Sequence, residues 1–248
     1  GSNSFSGSCF INFLLNKRHK VVGLRRKKEI NKIFLPYRFN KHINNFKFYR
    51  MDLNKNVNRA IKIIKKFKPS FIVDFSAQGM VGESWKYPDH WYKTNLVSKV
   101  KLIEGIKDLK FIKKFINFST PEVYGNSKKF LLENAALNPS TPYANSKGAF
   151  DFHMLNMYKN YNFPTIITRA ANVYGSHQQL YRIIPRTIMY AKLNKTLKLE
   201  GGGNSYRSFI HIDDVSNALY KILLKGKIGE IYHISTKKKN KYKKCNKN

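Results

Sequence analysis

Short apolar runs alternate with amphipathic runs along most of this chain. The apolar runs have the length and the β-branched and aromatic content of strands, and the amphipathic runs have the period of helices. Strands that alternate with helices at this spacing form a parallel sheet that helices cover on both faces. The sequence therefore predicts an α/β fold with a doubly wound parallel sheet. The predicted strands are 20–26, 70–78, 113–120 and 164–175, and the predicted helices are 57–68, 95–109 and 142–161.

Composition excludes several other classes of protein. The chain has 248 residues, 42% of them hydrophobic, which suffices for one domain with a packed core. No apolar run approaches the length of a membrane-spanning helix, and no secretory leader is recognisable. The two cysteines, Cys9 and Cys245, have neither the number nor the spacing of a disulfide framework or a metal site, so a cytoplasmic location is predicted.

The chain carries a net charge of +33. A basic surface is typical of nucleic-acid binding. The lysines are scattered, however, and they occur together with many Asn and Ile residues, as AT-rich coding produces. An anionic small-molecule substrate fits the same charge. We therefore predict no specific nucleic-acid partner and no membrane partner.

The first seven residues, GSNSFSG, are typical of a loop that binds phosphate. Gly1 and Gly7 stand where a backbone approaches a pyrophosphate closely, and the segment CFINFLLNK supplies a helix amino terminus behind them. Ser4 replaces the usual middle glycine, and Phe5 follows it. A plain turn can have the same composition, but the predicted strand 20–26 soon after the loop favours a dinucleotide site.

The end of that strand is where a dinucleotide site recognises the adenosine ribose. An acidic residue there accepts a hydrogen bond from the ribose 2′-hydroxyl, whereas arginine accommodates a 2′-phosphate. The sequence has Arg25 and Arg26 at this point and no acid before Glu29, which favours NADP over NAD. Asp52 is a further candidate: it either accepts from the adenine amino group or caps the helix that follows.

The segment YANSK places Tyr143 and Lys147 one turn apart on a predicted helix, so that both side chains share a face. A phenol has an ordinary pKa of about 10 and is a poor base at neutral pH. A neighbouring ammonium group stabilises the phenolate and lowers this pKa. The pair is therefore a candidate for taking the proton of a hydroxyl group as hydride leaves the same carbon. By itself, this spacing also occurs in purely structural helices.

Seven motifs together identify the family that the chain resembles: GSNSFSG, FSAQGMVGESW, FSTPEVYG, NPSTPYANSKGAFD, TRAANVYG, LYRIIPRTI and GGGNSYRSFIHIDDV. From Gly1 to about Thr236 the chain resembles the extended short-chain dehydrogenase/reductase superfamily of NAD-dependent epimerases and dehydratases. Within it, the chain is most similar to nucleotide-sugar 4,6-dehydratases of the dTDP-glucose and GDP-mannose types. The resemblance implies a Rossmann-like NAD(P)-binding domain at 1–168, a substrate-binding part at 169–236 interleaved with the last sheet strands, and a disordered basic tail at 237–248.

The same resemblance predicts that the sequence is incomplete at both ends. Family members have a central strand before the glycine loop and several elements after the segment that matches EIYHIST, and the sequence contains neither. If the chain were the whole protein, we would expect weak stability and little turnover. A non-catalytic NAD(P)-binding fragment is therefore one alternative to an active enzyme.

For the reaction, the resemblance implies four catalytic residues: Thr120, Glu122, Tyr143 and Lys147. Tyr143 is the base at the sugar C4 hydroxyl, and Thr120 hydrogen-bonds the C4 oxygen. Lys147 lowers the pKa of Tyr143 and holds the nicotinamide ribose. Glu122 takes the position of the carboxylate that removes the C5 proton. Pro121 stands where the dTDP-glucose enzymes have an aspartate that protonates the departing C6 hydroxyl, so we expect Glu122 to serve both steps. A 4-epimerase or a decarboxylase is the alternative.

The resemblance also implies a homodimer, formed through two helices per subunit, and a set of binding residues. Arginine suits a diphosphate because its planar guanidinium group offers two donors to phosphate oxygens. No metal is expected, because His211, Asp213 and Asp214 lie at a strand-to-helix junction where one of the aspartates is predicted to cap the helix. The cofactor-binding residues are Gly1, Ser4, Phe5, Gly7, Arg25, Arg26, Asp52, Ser76, Ala77, Gln78, Tyr143 and Lys147, and the substrate-binding residues are Ser84, Asn172, Arg182 and Arg207.

Overall fold

The computed structural model describes residues 1–127, 130–197, 206–236 and 240–241, and it has the predicted α/β fold. Strands and helices alternate along most of this part of the chain. In order, they are α1 (Phe5–Asn16), β1 (Val21–Arg25), β2 (Phe46–Arg50), α2 (Val57–Phe67), β3 (Phe71–Asp74), α3 (Pro88–Tyr92), α4 (Ser98–Ile106), β4 (Lys114–Ser119), α5 (Pro142–Tyr161), β5 (Thr165–Ala170), β6 (Asn172–Tyr174), α6 (Ile183–Lys192), β7 (Tyr206–Arg207), β8 (Phe209–His211), α7 (Ile212–Lys225), β9 (Ile231–Ile234) and β10 (Asn240–Lys241).

The main sheet consists of four parallel strands in the order β3, β4, β5, β9. β1 and β2 form a separate parallel pair, in which Gly23 lies opposite Phe48. β6 pairs with β8 in parallel, and β7 pairs with β10 in antiparallel orientation. The carboxyl ends of the four main strands therefore share one edge, which is where open α/β sheets bind their ligands.

Helices cover both faces of the main sheet, and alternate strand residues contribute to a different core on each face. In β4, Phe115 belongs to the core formed with α2, α4 and α5, whereas Ile116 belongs to the core formed with α1 and α7. β5 repeats the alternation with Ile167 in the first core and Ile166 in the second. Successive side chains of a strand point to opposite faces. The two cores thus confirm the doubly wound arrangement.

The helix that contains YANSK begins and ends where the sequence predicts. The Thr141 hydroxyl oxygen accepts a hydrogen bond from the N–H of Ala144, and Pro142 occupies the first turn, where no N–H donor is needed. After Tyr161, Asn162 adopts the left-handed conformation (φ 53°) that ends many helices. These caps fix the amino end of α5 beside the carboxyl end of β4.

Two local predictions were wrong in detail. The single strand predicted at 164–175 is two strands, of which the first ends at Ala170 and the second begins at Asn172 in a different sheet. The N-cap of α7 is His211, whose Nδ1 accepts from the N–H of Asp213 at 3.3 Å, and not an aspartate. The aspartates lie within the first turn instead, where negative charge is favoured by the helix dipole.

The predicted strand 70–78 ends early, at Asp74. The Asp74 carboxylate accepts from the N–H of Ser76, and this local hydrogen bond turns the chain out of the sheet. Within the tail predicted to be disordered, 237–248, Asn240–Lys241 pairs with β7, and the other residues lie outside the described part. The domain limits stay a prediction. In the described ranges, no helix combines the length and the apolar character that crossing a membrane requires.

Candidate active site

The four predicted catalytic residues lie at the carboxyl end of β4 and the amino end of α5. Thr120 follows β4 directly, and the short 3₁₀ turn after it, Pro121–Tyr124, carries Glu122. The Thr120 hydroxyl oxygen accepts from the N–H of Glu122 at 3.3 Å, which holds this turn against the strand. Tyr143 lies in the first turn of α5 and contacts the same region.

Tyr143 interacts with three other predicted catalytic or binding side chains. It forms a hydrogen bond with the Thr120 side chain, and the charges of Glu122 and Arg182 act on it. Burial raises the pKa of Tyr143 above its ordinary value, whereas the hydrogen bond with Thr120 and the charge of Arg182 lower it. The structure therefore brings Thr120, Glu122, Tyr143 and Arg182 together.

Lys147 lies one turn further along α5 and is 2% exposed. Its Nζ donates to the carbonyl oxygen of Phe118, in β4, at 2.8 Å. Burial lowers the pKa of Lys147 to about 7, the charge of Lys99 lowers it too, and Asp74 and Asp151 oppose this. The lysine is thus poised to change its charge near neutral pH.

Beside Lys147 lies a buried ion pair that sequence analysis missed. Lys99 Nζ is 2.7 Å from Asp74 Oδ2, and the two side chains are 1% and 9% exposed. Burial by itself raises the pKa of Asp74, but Lys99 and Ser76 outweigh it and hold this pKa at about 2. The ammonium group of Lys99 also lies 5.0 Å from the centre of the Phe150 ring. Asp74 ends β3 and Lys99 belongs to α4, so the pair joins the sheet to that helix.

A second buried ion pair anchors α5 to the sheet. Arg169 Nη2, from β5, lies 3.0 Å from Asp151 Oδ2. Asn117 and Ser119, both in β4, donate to the two carboxylate oxygens of Asp151 at 2.8 and 2.9 Å. The helix that carries Tyr143 is therefore fixed to two strands at once. Asp151 and Arg169 were also missed by sequence analysis.

The loop after β3 carries the predicted cofactor residues Ser76, Ala77 and Gln78. Asn95 holds this loop in place: its Oδ1 accepts from the N–H of Gln78 at 2.7 Å, and its Nδ2 donates to the carbonyl oxygen of Gln78. The same Nδ2 donates to the hydroxyl of Ser146, in α5. Asn95 lies in a π-helical turn, 93–97, of the kind that is frequent at functional sites.

The glycine loop has the geometry that the sequence predicts. Ser4 is the N-cap of α1, and its hydroxyl oxygen accepts from the N–H of Gly7 at 3.1 Å. A Cβ atom on Gly7 would lie 2.4 Å from the carbonyl oxygen of Gly1, so any side chain at this position would collide with the backbone of the loop. Phe5 packs its side chain into the core shared with α7. The residues present fit a bound pyrophosphate, because the helix amino terminus carries no acid in its first turn.

An open basic cavity of about 470 Å³ lies where the adenosine half of the cofactor is predicted to bind, and we call it the adenosine end of the predicted cofactor cleft. Arg25 does not line it: its Nη1 donates to the carbonyl oxygen of Asn3 in the glycine loop at 2.9 Å. Arg26 does line it, and its Nη2 donates to Gln78 Oε1. Asp52 lines the cavity as well and does not cap α2, whose N-cap is Asn56. The lining residues are Arg26, Arg50, Met51, Asp52, Lys55, Asn56 and Arg59.

The predicted substrate-binding residues are more dispersed. Ser84 is fully buried, and its hydroxyl donates to the carbonyl oxygen of Val81, so its side chain does not face the cleft. Asn172 lies at the exposed start of β6 and donates through Nδ2 to the carbonyl oxygen of Ser208 at 3.3 Å. Arg207 belongs to β7, and Arg182 precedes α6 close to Tyr143. Arg182 is thus the predicted substrate-binding residue whose charge acts on Tyr143.

Acidic and metal-ligating side chains do not cluster in the part of the chain that the structure describes. No group of three or more His, Cys, Asp or Glu residues there could hold a metal ion.

Comparison with known proteins adds to this geometry. The family model for GDP-mannose 4,6-dehydratase matches residues 1–248. A dTDP-D-glucose 4,6-dehydratase of Dictyostelium discoideum is 34% identical over 204 residues, which are 77% of this chain and 46% of that protein. The chain thus spans about half the length of this curated relative.

Solved structures of similar enzymes share the fold. A dTDP-glucose 4,6-dehydratase from Bacillus anthracis, solved in complex with NAD, is 29% identical with a TM-score of 0.86, over 98% of this chain and 76% of that one. A UDP-glucuronic acid 4-epimerase from Bacillus cereus, solved with UDP-glucuronic acid and NAD, is 26% identical with a TM-score of 0.82, over 98% and 78%. The resemblance predicted from the motifs is therefore confirmed.

Proposed function

Because this chain belongs to the GDP-mannose 4,6-dehydratase family, we propose that it is a nucleotide-sugar 4,6-dehydratase, a lyase that removes water from a nucleotide-diphosphate hexose. The observation that carries the proposal is the convergence of Thr120, Glu122 and Tyr143 beside the buried Lys147. A hydroxyl oxidation needs the tyrosine and the lysine. Elimination of water needs a carboxylate as well, and Glu122 supplies one at the same point.

The first step is oxidation of the sugar at C4. Tyr143, as the phenolate, takes the proton of the C4 hydroxyl, and Thr120 donates a hydrogen bond to the C4 oxygen. Lys147, in its protonated form, stabilises the phenolate. When bound, NAD(P)⁺ accepts the hydride that leaves C4 and supplies it again for C6. The resulting C4 ketone makes the proton on C5 acidic.

The second step is elimination across C5 and C6. The Glu122 carboxylate removes the C5 proton and then gives a proton to the departing C6 hydroxyl, so that water leaves and a C5–C6 double bond remains. Hydride addition at C6 and addition of one proton at C5, which balances the proton that Tyr143 took from the C4 hydroxyl, complete a 4-keto-6-deoxy sugar. Pro121 has no acidic group, so one carboxylate serves both halves of the elimination. The use of one carboxylate agrees with the site, because Glu122 is the acidic side chain of the 3₁₀ turn that acts on Tyr143.

For the cofactor, the basic cavity favours NADP over NAD. Three arginines and one lysine line the cavity together with one carboxylate, Asp52. A 2′-phosphate there would be held by Arg26, Arg50 and Arg59. Arg25, which was predicted to share this task, instead donates to the backbone of the glycine loop. The dehydratase and the epimerase of similar structure were both solved with NAD, so NAD is the alternative.

We also propose a cytoplasmic homodimer that packs through α5. This helix carries Tyr143 on one side and exposes Phe152, which is 56% exposed, on the opposite side. Aromatic side chains of this size are enriched at protein interfaces. The oligomeric state in solution, measured by analytical ultracentrifugation, tests this part of the proposal.

The reaction is tested by mass spectrometry after incubation with NADP or NAD and a panel of nucleotide hexoses. The panel holds dTDP-glucose, GDP-mannose, CDP-glucose and UDP-N-acetylglucosamine. We expect loss of one water from a single member, which also names the substrate. A binding-only fragment would retain cofactor binding and leave every member of the panel unchanged.

Glu122→Gln distinguishes a dehydratase from an epimerase. The amide cannot take the C5 proton, so we expect water loss to fall by a factor of about 10²–10⁴, the usual contribution of a positioned acid–base group. Glu104→Gln, the same change on the surface of α4, is the matched control. An epimerase would interconvert C4 epimers without change of mass and would tolerate Glu122→Gln.

A further inference from the structure

Three buried titratable side chains, which we call the line, interact in succession close to the predicted catalytic residues: Asp74, Lys99 and Lys147. Asp74 Oδ2 contacts Lys99 Nζ at 2.7 Å, and the charge of Lys99 acts in turn on Lys147. All three side chains are at least nine-tenths buried. Two neighbouring amino groups in the interior repel each other strongly when both are charged, because the interior screens charge far less than water does.

Asp74 gives the two amino groups different surroundings. Its carboxylate contacts Lys99 directly, so the charge of Lys99 is compensated. Lys147 instead donates to a neutral carbonyl oxygen, that of Phe118. The other carboxylate near Lys147, that of Asp151, is engaged by Arg169, Asn117 and Ser119. Lys147 is consequently the member of the line that can lose its proton.

We propose that Lys99, held by Asp74, is a positioning residue that sets the protonation state of Lys147 and thereby the pH range in which the Tyr143–Lys147 pair works. The first half of this proposal concerns the cofactor-free chain alone. The second half rests on the proposed function. Lys99 and Asp74 both act on Lys147, and Asp74 also accepts from the N–H of Ser76 in the predicted cofactor loop.

The direction of each substitution follows from the charges around Lys147. These are the ammonium of Lys99 from α4 and the carboxylates of Asp74 from β3 and Asp151 from α5. Removal of the positive charge in Lys99→Met lets Lys147 hold its proton to higher pH. Removal of the negative charge in Asp74→Asn has the opposite effect.

The test is an NMR titration of the cofactor-free protein labelled with ¹³Cε-lysine. Exposed lysines titrate near pH 10.4, so a lysine resonance with a midpoint near pH 7 is easily distinguished from theirs. This resonance is assigned to Lys147 if it is absent from the spectrum of Lys147→Met. We expect the midpoint to rise by about one to three pH units in Lys99→Met and to fall in Asp74→Asn. Lys101→Met, an exposed position on the same helix, is the control and should leave the midpoint unchanged.

Opposite shifts in the two variants support the first half of the proposal, and unchanged or equal shifts overturn it. Lys99→Met leaves a buried carboxylate unpaired and can fail to fold. In that case the double variant Asp74→Asn/Lys99→Met decides, since it removes both charges together. A Lys147 midpoint above that of the unmodified chain supports the proposal, because the loss of the Lys99 charge then outweighs the loss of the Asp74 charge. A midpoint at or below that of the unmodified chain overturns the proposal.

The second half is tested by the pH profile of turnover on the substrate found in the panel. Lys147 keeps its proton to higher pH in Lys99→Met and loses it at lower pH in Asp74→Asn, so the alkaline limb of the profile should move to higher pH in the first variant and to lower pH in the second. A profile that stays in place while the Lys147 midpoint moves overturns this half. Absence of turnover in the unmodified chain counts against the proposed function and leaves the NMR result unaffected.

Discussion

The two ends of the cleft use charge in opposite ways. At the reaction end, Lys99 and Lys147 are at most 2% exposed, and each charge has one or two defined partners. At the adenosine end, Arg26, Arg50 and Arg59 are exposed around an open cavity. A charge in the interior interacts strongly with each neighbour, whereas an exposed charge is screened by water and salt. Single substitutions should therefore have large, specific effects at the first end and small, additive effects at the second.

The largest effect is expected from Asp151→Asn. This change leaves Arg169 as an uncompensated buried charge, and removing one partner of a buried pair typically costs about 3–5 kcal/mol. Urea denaturation should show this loss in the free energy of unfolding. Asp89→Asn, at a side chain that is 78% exposed, is the matched control and should change little. A loss for Asp151→Asn as small as that of the control would contradict the contrast between the two ends.

Lys147 should make stability depend on pH in the cofactor-free chain. Its pKa is about 7 in the folded state against an ordinary 10.5. Between these values the unfolded chain binds the extra proton, so stability rises with pH at a rate of about 1.4 kcal/mol per pH unit, and the penalty is fully present below pH 7. Lys147→Met removes the titrating group.

The free energy of unfolding is measured from pH 6.5 to pH 10 for the unmodified chain and for Lys147→Met, and the value for the variant is subtracted from that for the unmodified chain at each pH. The difference cancels the general effect of a net charge of +33. A difference that stays constant over this range would mean that Lys147 keeps its proton and would also remove the basis for the role assigned to Lys99.

The smallest effects are expected in the basic cavity. Exposed ion pairs contribute about 0.2–1 kcal/mol, so Arg26→Ala and Arg50→Ala should each weaken NADP binding about 2-fold to 5-fold and leave NAD binding unchanged. NADP affinity should also fall with rising salt. Arg38→Ala, at an arginine that pairs with Glu29 outside the cavity, is the control. Equal losses for both cofactors would place the 2′-phosphate elsewhere.

The sequence predicted the fold where local signals and burial agree. Residues 142–161 form α5 as predicted, since Thr141, Pro142 and Asn162 are strong boundary signals. The run 164–175 looked like one strand because periodicity alone does not show that the chain changes sheets after Ala170. Register between sheets is a tertiary property, and no local pattern in this run encodes it.

The candidate site was predicted only in part, because some of its residues are brought together by tertiary packing and not by a local sequence pattern. Motif residues such as Thr120 and Tyr143 were identified, but Asp74 and Lys99 were not. The signal was present: Lys99 begins the apolar stripe of α4 that continues at Leu102, Ile103 and Ile106, and a lysine in such a stripe must find a buried partner. The partner itself, at the end of β3, is set by tertiary packing and could not be read from spacing.

The most direct test of the proposed dehydratase reaction follows a deuterium label placed on C4 of the substrate found in the panel. Hydride leaves C4 and returns to C6 of the same molecule, so we expect a product that has lost one water and carries the label on C6. Mass spectrometry locates the loss, and NMR locates the label. A label that returns to C4 without loss of water would show an epimerase, and it would contradict the assignment of Glu122 to an elimination.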